Sequence, residues 1–536
     1  MAAPETLAEE LSLEEQIGQC FMAGFHGETP PDGILDLIQR QRVGGVILFS
    51  RNCRHPAQIA TLTAALQAAA RAAGHPAPLM IATDQENGLV QRLGDGVTPF
   101  PGNMALGATS SAELTEAVAE ATGAELRALG ITMNLAPDAD VNNNAANPVI
   151  GVRSFGADPH EVARLVVAAV RGYQRAGVVG VDKHFPGHGD TASDSHLLLP
   201  VIPHDRARLE ALELVPFSAA IAAGAEAMMT AHVAVPRLTG ETATPASLAP
   251  EISGVLLHDT LGFDGVTITD CLEMHAIART VGVARGAVAA LAAGNDLVLV
   301  SHTAGEQRAA VAAVRAAVIA GELPRQRVAQ AAARVLRLKR LRPASNVPAP
   351  DDVAGMVGTT AHRELSARAY ARATTLIRDE ARLVPLRLAA DERILVVAQH
   401  SDALSKAVDM PYHPEAFADE LGRHHPHVAQ IVLSAHPSPS EQAAAERAAA
   451  AADVLVLLTL NAHLNPGHAR CMRRLASLVR RVAAIATANP YDATAQPELR
   501  TYLATYEYTP AALRAAARVL AGDLAPSGRL PVPLAL

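Results

Sequence analysis

Eight short apolar runs punctuate residues 1–342, at 20–24, 43–49, 78–83, 132–136, 178–182, 227–231, 265–269 and 297–300. Amphipathic, alanine-rich stretches with helical periodicity lie between them, among them 56–73, 112–129 and 159–176. Apolar runs alternating with such stretches are the pattern of repeated βα units. Eight parallel strands with crossover helices predict a (β/α)8 barrel of the TIM type. A doubly wound open sheet is the main rival, yet no glycine-rich phosphate turn follows the first run.

A second region is expected beyond the barrel. Residues 343–352, PASNVPAPDD, are proline-rich and polar and open a linker over 343–360. A helix at 362–374 leads into a smaller α/β domain, 361–536. Its strands are expected at 393–397, 430–434, 454–460, 482–487 and 502–507, alternating with helices such as 440–452 and 510–521. Five strands with intervening helices suggest a small open parallel sheet. The length, 536 residues with 49% hydrophobic, suits a barrel plus one smaller domain.

Charge narrows the function. The net charge of -9 has no basic stripe, which argues against nucleic acid and against a polybasic membrane anchor. No window approaches the roughly 18 apolar residues of a membrane span, and the acidic N-terminus lacks a signal-peptide pattern. Cys20, Cys53, Cys271 and Cys471 are far apart, with no C-x-x-C pair. Small buried thiols in a reducing, cytoplasmic setting follow from that usage.

A barrel builds its site at the C-terminal ends of its strands, so polar residues that close the apolar runs are the candidates. They are Asp84, Gln85 and Glu86; Asp138, Asp140 and Asn142 to Asn144; Asp182, Lys183 and His184; His232; and Asp270. Any one aspartate could simply cap the next helix. The whole set, at one end of apolar strands, points to a site. Residues 183–196, KHFPGHGDTASDSH, form the densest signal, with Pro186 ending the strand and Gly187 and Gly189 shaping a loop. Two readings of it compete. His184, His188 and His196 could bind zinc; alternatively, Asp194 could orient His196 as an acid/base pair.

With these residues in view, the sequence resembles glycoside hydrolase family 3, and within it the β-N-acetylglucosaminidases of the NagZ type. The motifs are ATDQE (82–86), IGVRSF (150–155), KHFPGHG (183–189), DSH (194–196) and GFDGV (262–266) leading to Asp270; the tail APSGRLPV (525–532) resembles the end of the family's second domain. The resemblance implies a retaining enzyme that removes terminal N-acetylglucosamine from muropeptides or chitooligosaccharides. It casts Asp270 as nucleophile and His196, partnered by Asp194, as acid/base. Asp84, Arg92, Arg153, Lys183 and His184 would hold the sugar ring, and His232 is a further candidate for sugar contact. No cofactor and no metal are implied.

The chemistry agrees. A carboxylate must attack the anomeric carbon while a proton donor serves the departing oxygen, and an imidazole suits that second task near neutral pH. The chain departs from the recycling enzymes at Asn87 and Leu89, where glycine and arginine are usual, and at Cys271, where an acid is common. The absence of Trp suits a short pocket for one terminal sugar. A β-glucosidase or β-xylosidase of the same family, a phosphorylase, a zinc hydrolase and a non-catalytic sugar binder are the rivals. The second domain could buttress the barrel, line the pocket's rim or mediate a homodimer.

Overall fold

The computed structural model describes residues 8, 10–192, 198–344, 350–402 and 405–534. Eight strands form the first sheet: β1 (Phe21–Ala23), β2 (Gly45–Leu48), β3 (Met80–Thr83), β4 (Met133–Asn134), β5 (Val179–Phe185), β6 (Ala227–Thr230), β7 (Val266–Thr269) and β8 (Val298–Val300). All pair in parallel, β1 with both β2 and β8, and a parallel bridge between Ile268 and Leu297 joins β7 to the start of β8. The sheet therefore curls on itself as the expected barrel. Each strand falls within or beside its apolar run.

The barrel interior is packed. Met22, Ile47, Ala82, Met133, Val181, Met229, Ile268 and Leu299, one from each strand, belong to a single buried cluster. Methionines fill the irregular gaps there, as their unbranched, polarisable side chains allow. The helices follow local rules. Asp158 caps Pro159–Ala176, accepting from the amides of His160 and Glu161, with proline at the first position and Gly177 ending the helix at φ +75°.

One strand residue runs against its surroundings. Asp182 in β5 is fully buried, and neither carboxylate oxygen finds a hydrogen-bond partner. Strand alternation places it opposite Val181, away from the barrel interior. Burial pushes its carboxyl up to about 8. A folded-state value above the unfolded one means that the native state holds the extra proton. Stability is then fully present below about pH 4 and is lost as pH rises toward 8. Asp182→Asn should remove this loss, raising the melting temperature relative to the parent at pH 9 and leaving it nearly unchanged at pH 4. Equal shifts at both pH values would contradict the buried, neutral acid.

The second sheet is built from β9 (Thr375–Asp379), β10 (Ile394–Gln399), β11 (Val428–Leu433), β12 (Val454–Thr459), β13 (Arg481–Ala486) and β14 (Thr501–Ala504), in the order β11-β10-β12-β13-β14-β9. Five of these strands are parallel. The sixth, β9, is an antiparallel edge on β14 and corrects the five-strand expectation. Its Arg378 and Asp379 interrupt the apolar run, because an edge strand is only half buried.

The two sheets share packing. Met104, Ala105 and Ala108, from the barrel helix Asn103–Thr109, join a cluster with Val397, Leu455, Tyr502 and Tyr506. Val353 and Val357, within the stretch read as a linker, are buried against barrel residues such as Ile59 and Leu62. Among the described residues, no helix is long and apolar enough to cross a membrane.

Candidate active site

A cavity of about 350 Å³ opens at the C-terminal ends of the barrel strands. Asp84 enters it directly after β3, Lys183 and His184 from the second half of β5, and Asp270 directly after β7. Arg153 arrives on a short helical turn, Gly151–Arg153, and Arg92 on the long connection after β3. Lys183 and His184 are joined by a cis peptide. The loop that follows depends on glycine: Gly187 has φ +120°, and a Cβ on Gly189 would lie 1.8 Å from the Val141 carbonyl oxygen.

The charges on one wall form a closed network. Lys183 Nζ lies 2.9 Å from Asp84 Oδ1 and 2.6 Å from Glu86 Oε1. Arg153 grips Glu86 with two bonds, Nε to Oε2 at 2.9 Å and Nη2 to Oε1 at 2.8 Å. Burial alone would raise the Glu86 carboxyl, but Arg153 and Lys183 outweigh it and hold the group well below the usual range. Lys183 is also buried, yet Asp84 and Glu86 keep it above its ordinary value and hence charged. This wall therefore presents a fixed anion and a fixed cation, the strongest partners for sugar hydroxyls.

His184 behaves differently. Burial, reinforced by Arg153, pushes its ring down to about 4, so it is neutral at pH 7. Its Nδ1 lies 2.7 Å from Asp140 Oδ2 and its Nε2 3.3 Å from Arg153 Nη2. A neutral ring donating from Nδ1 and accepting at Nε2 satisfies both neighbours. Asp140 Oδ1 also accepts the His188 amide at 2.6 Å, which ties the following loop to the same carboxylate. Behind them, burial and the adjacent Asp140 raise Asp138 well above the ordinary carboxylate range. Asp138, Asp140 and His184 do bring ligand atoms within 4.8 Å of one another. Both ring nitrogens of His184 already face protein partners, however, and a cation at Nε2 would have to displace the Arg153 guanidinium.

Asp270, Asp84, Arg92, Arg153, Lys183 and His184 all line the cavity, so six residues expected from sequence come together. His232 does not line it. Its ring is wholly buried, with Nδ1 2.7 Å from Ser247 Oγ and Nε2 3.0 Å from the Cys271 carbonyl oxygen. That places it behind the strand end carrying Asp270, where it holds backbone rather than sugar. Asp194 and His196 lie outside the described residues. Asp190, farther along the loop, meets His204 Nε2 at 2.8 Å and the Asn144 amide at 3.2 Å, which braces the loop.

Several lining residues escaped sequence reasoning. Phe49 and Arg51 follow β2, and His302 follows β8, so the strand-end rule extended to those strands would have found them. Phe49 is an aromatic residue of the lining, and the Arg51 guanidinium lies over its ring at 4.4 Å. Lys406, Ala407 and Asp409 come from the second domain. Asp409 Oδ2 lies 2.8 Å from Arg92 Nη1 and also accepts from Ser50. No local pattern marks these positions; only the docking of the two sheets brings them in.

The sequence departures have local explanations. Asn87 sits at φ +69°, a conformation glycine adopts freely and asparagine tolerates best among other residues, and its amide donates to Thr122. Leu89 packs with Leu460, Ala488 and Tyr508 of the second domain, so an apolar residue belongs there. Cys271 is buried, receives the Ser301 hydroxyl at 3.0 Å, and has its thiol pushed up to about 12 by burial; it is a packed thiol.

A barrel whose mouth brings this ion-paired wall and Asp270 into one cavity has the architecture of a (β/α)8 enzyme. The chain belongs to glycoside hydrolase family 3: residues 12–338 match the glycosyl hydrolase family 3 N-terminal domain. It is 35% identical over 451 residues to a beta-hexosaminidase A of Pseudoalteromonas piscicida, covering 77% of this chain and 74% of that one. A beta-hexosaminidase of Xylella fastidiosa strain M23 is 39% identical over 287 residues, 52% of this chain and 83% of the other. The solved structure of a family 3 beta-N-acetylglucosaminidase from Paenibacillus sp. str. FPU-7 superposes with a TM-score of 0.91 at 42% identity, covering 98% and 99% of the two chains.

Proposed function

We propose that this glycoside hydrolase is a retaining exo-β-N-acetylglucosaminidase. The observation that carries the reading is the Asp84–Lys183–Glu86–Arg153 network on one wall of a cavity that Asp270 enters from β7. The similarity to beta-hexosaminidases and to a beta-N-acetylglucosaminidase supports the substrate class.

In the proposed mechanism Asp84 and Lys183 bind ring hydroxyls and Arg153 orders the wall through Glu86. Asp270 attacks the anomeric carbon, and the bond to the leaving oxygen breaks as His196 delivers its proton. Asp194 orients that imidazole. Water then takes the sugar from Asp270 while His196 accepts the water's proton. A cavity of about 350 Å³ suits one terminal sugar better than a polymer. The aglycone is a muropeptide or a chitooligosaccharide. The four cysteines are free thiols, which supports a reducing, cytoplasmic setting.

Chromogenic glycosides test this directly. The N-acetylglucosaminide should be hydrolysed with a kcat/KM well above that of the glucoside, and a preference for the glucoside would overturn the assignment. His196→Ala should cost roughly 10²–10⁴-fold on a substrate with a poor leaving group and far less on an activated aryl glycoside. Equal losses on both would remove His196 from the acid role. Purified muropeptides assayed beside chitobiose decide the natural aglycone.

A further inference from the structure

Glu507 follows β14 in the second domain and is 1% exposed. Burying a carboxylate is costly unless hydrogen-bond donors surround it. Its Oε2 accepts the Gly102 amide of the barrel at 2.7 Å, while Oε1 accepts the hydroxyls of Tyr370 and Thr509, each at 2.8 Å. Gly102 packs against Gly88 so closely that a Cβ on Gly88 would meet Gly102 Cα at 2.8 Å and Glu507 Oε2 at 2.9 Å. The carboxylate thus bonds the Gly102 end of the connection 88–102, which carries Arg92, with Gly88 packed closely beside it.

A continuous path leads from there to the cavity wall. Asn103, next to Gly102, donates its side-chain amide to the Arg153 carbonyl oxygen at 2.7 Å. Arg153 holds Glu86 by its two bonds, and Glu86 holds Lys183. Glu507, Glu86 and Arg153 all line one small cavity.

We propose that Glu507 is a positioning residue through which the second domain sets the geometry of the sugar-gripping wall, by way of Gly102, Asn103 and Arg153. The proposal rests on the reading that this wall binds the sugar. As a carboxylate, Glu507 is the strong acceptor that the Gly102 amide needs; protonation weakens that bond. The groups that face it are Tyr370 from the helix Thr360–Ala373 and Thr509; Glu86 and Arg153 share the lining of the small cavity, and Arg514 acts on Tyr370. Burial, only partly offset by the Gly102, Thr509 and Tyr370 bonds, pushes the Glu507 carboxyl up to about 7. The grip should accordingly loosen as pH falls through neutrality.

Glu507→Gln keeps shape and burial and mimics the protonated form. At pH 8 it should raise KM for an N-acetylglucosaminide about tenfold, the order expected when a charge-assisted hydrogen bond becomes a neutral one. The change in kcat should be small and the melting temperature should not fall. Hydrogen exchange of the amides in 88–103 should quicken at least about fivefold, measured without substrate. The parent's KM should rise as pH drops through about 7, a step absent from Glu507→Gln. Tyr370→Phe removes one donor and should move that step to higher pH. Unchanged exchange and unchanged KM in Glu507→Gln would overturn the proposal, as would a loss of stability and kcat with KM intact. If the parent fails to bind any N-acetylglucosaminide, the sugar reading falls, while the exchange result still decides the positioning role.

Discussion

Asp270→Ala should lower turnover by roughly 10⁴-fold or more while leaving the fold intact, the size of loss seen when a covalent nucleophile is removed. The side chain stands at the end of β7, where the Asp270 amide is bonded to the Thr230 carbonyl oxygen at 3.0 Å, so the backbone is held by the barrel itself. Cys271 donates its amide to Asp270 Oδ1 at 2.7 Å, and His232 holds the Cys271 carbonyl oxygen from behind. With the proposed nucleophile gone, the proposed covalent glycosyl-enzyme has no carboxylate to form on. Intact-protein mass spectrometry with a slow, activated substrate should show a sugar adduct on the parent and none on the variant. A variant retaining more than a few per cent of turnover would displace Asp270 from the nucleophile's role.

Arg153→Met should act on stability and binding together. The guanidinium is buried and is the only group among the described residues that makes a two-bond grip on Glu86. It also lies 3.7 Å from Asp138. Removing it takes the guanidinium from both buried acids and leaves Lys183 as the cation paired with Glu86. Breaking one partner out of such a buried set costs about 3–5 kcal/mol. Denaturant unfolding should register that loss of stability. KM for the N-acetylglucosaminide should rise steeply in whatever fraction remains folded. Glu86→Gln should be milder, because it removes the acid and leaves Arg153 still near Asp138. An Arg153 variant as stable as the parent would mean that the network contributes no net stability.

Much of this was open to reading before any tertiary contact was known. Most barrel strands are short and apolar, because a strand buried between interior and helices has no solvent face to encode. That regularity makes a polar residue that closes an apolar run conspicuous, and Asp84, Lys183, His184 and Asp270 all came from it. The same rule carried to the second and eighth strands reaches Arg51 and His302. It misled at His232, which follows β6 just as plainly but turns toward Ser247 and the Cys271 backbone. Strand-end position says that a side chain is near the mouth, not which way its ring points.

The sequence by itself determined the barrel, the second α/β region and the residue types at the barrel's mouth, because apolar periodicity and strand-end chemistry are local properties of the chain. Only the tertiary structure decided that Glu86 is the hub joining Arg153 to Lys183, that Arg92 is held by Asp409, and that Leu89 is apolar because the second domain covers it. Glu86 and Arg153 are 67 residues apart and Arg92 and Asp409 317 apart in sequence, and an ion pair across such separations leaves no periodic trace. Its strength is set by burial and by angles a few tenths of an ångström can spoil, and those exist only once both sheets have packed.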